Sequence, residues 1–229
     1  MVKVFIDPGH GGGDPGAVGN GLKEKDLTLA IALECRRVLL EEYEGIEVKM
    51  SRTGDTYPSL SARAKMANDW KARLFVSIHV NAGGGTGFES YIFNGGGVSA
   101  QTIDWRNQIH KVIAAGSGFK DRGQKKANFQ VLRETKMPAI LTENGFIDHK
   151  EDAAKLRDPA FLKKLGLLHA EGIAKALGLK KKPEQKSATI YRVVADGKQT
   201  GAFAVPENLI REVERVVKGG AKKIMLEKV

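Results

Sequence analysis

Two histidines and two glutamates stand where a folded chain could bring them together. His10 follows a short apolar stretch, residues 2–6, and His79 closes another, residues 74–80 (LFVSIHV). Glu143 ends a third, residues 139–143 (AILTE), and Glu24 opens an amphipathic segment. In a parallel sheet the carboxyl ends of the strands share one edge, and that edge is where open α/β sheets keep their chemistry. Two imidazoles and one carboxylate form a three-ligand set that leaves a coordination position for water, as in hydrolytic zinc sites. A second carboxylate beside such a set can take the proton from that water and hand it to a leaving group. Each residue also has a plainer reading. A lone histidine is often a core or surface residue, Glu24 would favour a helix N-terminus, and Glu143 could simply end a strand. The coincidence of three of them at strand ends with Glu24 at the opening of a helix favours the metal site.

The elements that must position them follow from periodicity. Residues 26–43 carry a broad apolar stripe at helical spacing, from Leu27 through Ile31 to Leu39 and Leu40. Residues 46–50, 74–80, 88–93, 130–133 and 139–143 read as strands, and residues 59–70, 99–115 and 161–177 as helices. Strands alternating with helices predict an α/β domain, a mostly parallel twisted sheet flanked by helices on both faces. Residues 179–187 are polar, lysine-rich and contain Pro183, which reads as a linker between a catalytic domain, residues 1–178, and a small domain, residues 188–229. The small domain reads as a ββαβ module: strands 189–194 and 201–205 around a turn at Asp196-Gly197, helix 207–217 and strand 223–228. A unit of that size buries little core, so it is expected to dimerise or dock.

Other chemistries fit less well. Gly11-Gly12-Gly13-Asp14-Pro15-Gly16 matches the dinucleotide-binding spacing and follows a strand. Its helix starts late, however, so no helix N-terminus meets a pyrophosphate, Asp14 adds negative charge and Pro15 removes a backbone donor. Arg52 is the one residue that would suit a 2′-phosphate. The H-E-x-x-H and G-x-S-x-G motifs are absent. Cys35 is the single cysteine, sits in a helical pattern and has no local histidine. His110, His149 and His169 lie in or beside helices and read as core or surface residues, with a supporting role open for His149 near Glu143.

The net charge is +10 over 229 residues. Lys and Arg outnumber Asp and Glu two to one from Lys180 onward, so much of the excess lies in the linker and small module together. A basic module suits a polyanion such as nucleic acid, anionic lipid or an anionic wall polymer, or it can be simply a solubilising surface. Few aromatics interleave with its lysines, which argues against base stacking and against nucleic acid as the partner. No apolar run is long enough to span a bilayer, and residues 2–6 are too short for a secretory h-region. Synthesis in the cytoplasm without a signal peptide, with action on its target after release, is the expectation.

With these residues in hand, the chain resembles the zinc-dependent N-acetylmuramoyl-L-alanine amidases of the amidase-3 type. The resemblance covers residues 2–177. It rests on Ile6-Asp7-Pro8-Gly9-His10-Gly11-Gly12, Asp14-Pro15-Gly16-Ala17, Lys23-Glu24-Lys25-Asp26, Ser51-Arg52-Thr53 with Leu60-Ser61-Ala62-Arg63, Ser77-Ile78-His79-Val80-Asn81-Ala82, and Thr142-Glu143-Asn144-Gly145-Phe146. The resemblance implies His10, Glu24 and His79 as Zn2+ ligands and Glu143 as the catalytic base. It implies hydrolysis of the amide between N-acetylmuramic acid and the first L-alanine of peptidoglycan, with Asp7 orienting a ligand and Asn81 near the substrate. The small module more loosely resembles the sporulation-related wall-binding modules and the binding domains of phage endolysins. An endolysin is the expected role, with a sporulation autolysin, a zinc peptidase acting on the stem peptide and a non-catalytic wall-binding protein as alternatives.

Overall fold

A computed structural model describes residues 1–183, 191–203 and 206–228. The chain divides into two compact units, Met1–Lys182 and Pro183–Val229.

The first unit is built on a six-stranded sheet. β1 (Val2–Pro8) lies between β4 (Ile46–Met50) and β5 (Leu74–Asn81), all parallel. β8 (Ala139–Phe146) joins β5 in parallel. β6 (Phe88–Phe93) pairs antiparallel with β8, and β7 (Asp121–Ala127) closes the edge parallel to β6. Four strands therefore run one way and two the other, in the order β4-β1-β5-β8-β6-β7. The central strands are buried on both faces, so they read as apolar runs rather than alternating patterns.

Helices cover both faces. α1 (Glu24–Glu42), α3 (Ala100–Ser117) and α6 (Pro159–Leu177) pack together over the larger core, where Ile31, Val38, Ile109, Ile113, Leu165 and Ile173 are buried with Val4, Ile6 and Val76. Full burial of each such side chain contributes about 1.5–3 kcal/mol. α2 (Leu60–Asp69) and α4 (Gln130–Glu134) close the smaller core on the other face, around Phe5, Phe75, Val131 and Leu132. The caps agree with the sequence. Ser59 accepts from the Ala62 amide, Ser99 from that of Thr102 and Asp158 from that of Ala160, while Gly118 and Gly178 end α3 and α6 in the left-handed conformation.

Several elements differ from the sequence reading. Residues 130–133, expected as a strand, are the helix α4; Val131 and Leu132 are buried by it. β7 was not expected, because DRGQKKA shows no apolar alternation; it is an edge strand whose residues are half-buried or exposed. α5 (Lys150–Leu156) is a seven-residue helix that buries Ala153 and Leu156.

Two buried arginines hold the chain segment after β1. Arg63 on α2 is ion-paired with Asp7 at 2.8 Å, and each side chain is 1% exposed. Its guanidinium also donates to the carbonyls of Pro8 and His10, both at 2.7 Å. Arg52 donates to the carbonyls of Pro8, Gly9, Gly54 and Lys25. A glycine-rich loop has no side chains with which to fix itself, and these two guanidinium groups fix it from outside. Replacing Arg63 by Met leaves the buried Asp7 carboxylate without its cation and removes the bonds to three carbonyls, those of Pro8, His10 and Pro58. The expected loss is about 3–5 kcal/mol in urea unfolding; a loss below about 1 kcal/mol would place the stability of this loop elsewhere.

In the second unit β9 (Tyr191–Ala195) pairs antiparallel with both β10 (Lys198–Phe203) and β11 (Ile224–Lys228), and α7 (Pro206–Lys218) packs on β9 and β10. Val193, Val194 and Val216 are its buried apolar residues among those described, while Ile210, Val217 and Leu226 stay exposed. Residues 184–187 of the expected linker, and the expected strand positions 189, 190, 204 and 205, lie outside the described residues. Leu179–Lys182, at the start of the expected linker, belong to the first unit: Lys181 bridges Tyr43 and the Lys182 amide donates to the Glu42 carbonyl. Among the described residues no helix is long and apolar enough to cross a membrane.

Candidate metal centre

His10, Glu24 and His79 meet, each offering a ligand atom within 4.8 Å of the others. His10 sits two residues beyond β1, with φ 61. That is a left-handed conformation a non-glycine residue adopts only where its surroundings enforce it; here Arg63 grips its carbonyl. Glu24 is the first residue of α1, delivered after the small hairpin of β2 (Val18–Gly19) and β3 (Leu22–Lys23). His79 lies on β5.

Glu24 is the hub. Its Oε2 stands 3.1 Å from His10 Nε2 and its Oε1 stands 3.0 Å from His79 Nδ1. Backbone amides hold both oxygens from behind: Ala17 donates to Oε2 at 2.9 Å and Val80 to Oε1 at 3.0 Å. The carboxylate is thus fixed before anything binds. The far nitrogen of His10, Nδ1, meets Asp14 Oδ2 at 2.8 Å. A carboxylate behind a ligating imidazole sets its tautomer and raises its basicity. The sequence reading gives Asp14 a place in a resemblance block and a charge hostile to phosphate but no role beside His10; its i+4 spacing from His10 is the available signal. Asp7 touches neither histidine. It binds Arg63, Ser51 and Ser77, and so acts on His10 only through the Arg63 contact with the His10 carbonyl.

Two glycines make room. A Cβ on Gly9 would come within 2.3 Å of the His79 ring, and one on Gly16, whose φ is +65, within 2.6 Å of both Glu24 Oε2 and the His10 ring. Gly9→Ala is therefore expected to push His79 aside and weaken divalent-metal binding about 10–100-fold, the range seen when residues supporting ligands are lost. Competition against a chelator of known affinity measures this, and unchanged affinity would contradict the packing described.

Glu143 sits beside this group rather than in it. It is the direct cross-strand partner of His79 on one side and of Glu89 on the other. β8 continues past it to Phe146, so Glu143 lies within the strand and not at its end. Its Oε2 is buried with no hydrogen-bond partner. Burial, followed by the negative charges of Glu24 and Glu89, lifts its pKa well above the usual carboxylate range. Glu24 goes the other way: burial opposes its charge, but the bonds to His10 and His79 outweigh it and hold the carboxyl ionised. His10 responds in kind. Burial disfavours its protonation, Glu24 and Asp14 outweigh that, and its pKa is raised. Two carboxylates driven apart in this way are suited to different roles, one as a permanent anion and one as a proton carrier.

The donor set fits a zinc ion. Two imidazoles and a carboxylate converge, the carboxylate is pre-oriented, one histidine is backed by a carboxylate, and an unpartnered buried carboxylate oxygen lies across the strand pair. The remaining histidines do not join it. His169 is fully buried between Thr142 Oγ1 and the Leu165 carbonyl, and burial lowers its pKa to about 4. His149 Nε2 faces Glu151 at 3.2 Å. His110 links Ser90 Oγ at 2.8 Å to Asp121 Oδ1 at 3.0 Å, a serine–histidine–aspartate chain, but Ser90 is 0% exposed and no substrate can reach its hydroxyl. Arg52, the residue that would suit a 2′-phosphate, is spent on backbone carbonyls.

The sequence profile of a family described as N-acetylmuramoyl-L-alanine amidase (Amidase_3) matches residues 4–175. The chain is 53% identical over 208 residues to the sporulation-specific N-acetylmuramoyl-L-alanine amidase of Bacillus subtilis, covering 91% of this chain and 78% of that protein. It is 47% identical over 183 residues to the endolysin of Bacillus phage SPP1, covering 78% and 67%. The catalytic domain of CwlV, an N-acetylmuramoyl-L-alanine amidase from Bacillus (Paenibacillus) polymyxa, superposes with a TM-score of 0.74 at 37% identity, over 79% of this chain and 100% of that domain.

Proposed function

Because the chain belongs to the N-acetylmuramoyl-L-alanine amidase family, we propose that it is a zinc hydrolase. On this reading it cleaves the amide between the lactyl group of N-acetylmuramic acid and the first L-alanine of the peptidoglycan stem. The observation that carries the reading is the convergence of His10, Glu24 and His79 with Glu143 beside them.

The three ligands would hold zinc, which supplies Lewis acidity toward the amide carbonyl and acidity to a water. Asp14 keeps the His10 proton on Nδ1, leaving Nε2 as the donor. Arg63 and Arg52 hold the loop that carries His10. Glu143 takes the proton as water adds to the carbonyl, stores it in a site whose burial favours the neutral acid, and returns it to the departing alanine nitrogen as the C–N bond breaks. One water is consumed, giving a lactyl carboxylate and an alanine amine.

The second unit is proposed to bind the cell wall. Its excess of lysine and arginine suits an anionic wall polymer. An endolysin role and a sporulation role both remain consistent with the relatives. The match to the sporulation-specific enzyme spans 91% of the chain against 78% for the endolysin, so it extends further along the chain, and we favour lysis of a sporulating mother cell. Transcription of the gene late in sporulation supports that role, and transcription only with phage late genes overturns it.

Digestion of purified peptidoglycan tests the reaction itself. New L-alanine amino termini with no new reducing sugar ends are expected. New reducing ends, or new D-amino acid termini, would assign the enzyme to a different bond.

A further inference from the structure

Beyond Glu143 the sheet carries a charged cluster that the reaction does not use. Glu89 is 2% exposed and is the direct antiparallel partner of Glu143, so the two carboxylates share a face of the sheet. Its Oε1 accepts from Asn81 Nδ2 at 2.6 Å and from Tyr91 Oη at 2.9 Å. Its Oε2 accepts from Arg122 Nε at 3.0 Å and from Lys125 Nζ. One carboxylate therefore faces two cations.

Arg122 is the more informative of the two cations. It spends only Nε on Glu89; among the described residues neither Nη1 nor Nη2 has a hydrogen-bond partner. Its guanidinium lies over the Phe146 ring, 4.8 Å from the centroid, and its side chain is 31% exposed. An ion pair on one edge and an aromatic face beneath it fix the plane of the group. A fixed guanidinium presenting two free N–H groups matches a carboxylate bidentately. Asn81 donates to Glu89 and accepts from the Ala82 amide, which helps hold this cluster rigid.

The distance sets what could be read. Glu89 is one strand spacing, about 4.8 Å, from Glu143, and the guanidinium is one hydrogen bond further on, so it lies within about 10 Å of the base. An extended peptide advances about 3.5 Å per residue. We infer that Arg122, held by Glu89 and Phe146, binds a free carboxylate of the substrate peptide two or three residues from the scissile amide. It thereby makes the enzyme prefer that carboxylate over its amide. The inference rests on the amidase reading for the nature of the peptide. Arg122 is a specificity residue here and takes no part in moving the proton.

The test uses four soluble muramoyl tripeptides, with the carboxylate of the second or of the third residue free or amidated. Steady-state kinetics are measured on zinc-loaded wild type, Arg122→Gln and Arg122→Lys, and dissociation constants on the Glu143→Gln protein with and without Arg122→Gln. At one of the two positions wild type is expected to show a KM at least about tenfold lower for the acid than for the amide, with kcat little changed. Arg122→Gln raises KM for the acid to that for the amide, and Arg122→Lys restores part of the difference. The same preference appears in the dissociation constants. No preference at either position in wild type overturns the inference. So does a loss in Arg122→Gln that is equal for acid and amide, which would leave Arg122 only a prop for Glu89. If wild type cleaves none of the four while the affinity difference persists, the amidase reading fails and the carboxylate site stands.

Discussion

Glu143→Gln is expected to lose turnover by roughly 10²–10⁴-fold, the usual contribution of a positioned proton carrier, while it keeps its zinc. Glutamine has the shape of glutamate but cannot accept the proton of the attacking water. The same variant has a second expected effect, of opposite benefit. Oε2 of Glu143 is buried without a partner, and the carboxyl lies beside Glu24 and Glu89. A group whose pKa is raised by folding favours the fold while it is protonated and loses that contribution as pH rises through the folded pKa. Metal-free Glu143→Gln is therefore expected to be more stable than metal-free wild type at neutral pH, by about 1–3 kcal/mol. The advantage shrinks as pH falls and wild type takes up its proton. Thermal unfolding in chelator, at neutral and at acidic pH, reads it. A variant that is as active as wild type, or less stable at neutral pH, would remove Glu143 from the role assigned to it.

His79→Ala is expected to purify without a full equivalent of zinc and to show no measurable hydrolysis. On the proposed reading His79 supplies one of three ligand atoms, and it faces Glu24 at 3.0 Å. Its loss leaves Glu24 and His10, and a two-ligand site with no third protein donor holds zinc weakly. Circular dichroism should stay native, since His79 lies at the surface end of a strand whose core residues Phe75, Val76 and Ile78 remain. Excess zinc should not restore activity. Metal analysis of the purified variant is decisive: one zinc per chain would mean that the ion is held elsewhere.

The sequence made the candidate site legible because chemistry demands particular residue types at particular places. Two histidines and two glutamates near strand ends are visible without a structure, and the parallel arrangement of apolar runs says which edge they share. The supporting residues were harder to see. Asp14 looked like an obstacle to phosphate and backs His10; Arg52 looked like a phosphate reader and holds carbonyls. Both roles depend on how the glycine loop closes, and that is set by contacts from residues more than forty positions away. The strand β7 escaped notice for a different reason. An edge strand needs no apolar alternation, and Arg122, Lys125 and Lys126 are the charges that protect such an edge. Gln130–Glu134 reads as a strand because it is a short apolar pair with β-branched Val131, yet two adjacent apolar residues can also enter one core from a single helical turn. Glu89 carried no signal at all: a glutamate in a strand becomes meaningful only when the register sets it against Glu143.

The most direct test is mass analysis of purified peptidoglycan digested in parallel by the zinc-loaded protein, by the same protein stripped with chelator, and by the stripped protein resupplied with zinc. Stem peptides beginning with a free L-alanine amine, beside intact glycan strands, are expected from the first and third digests and absent from the second. Equal release of those peptides by the stripped protein would contradict a zinc site at His10, Glu24 and His79 as the centre of the reaction.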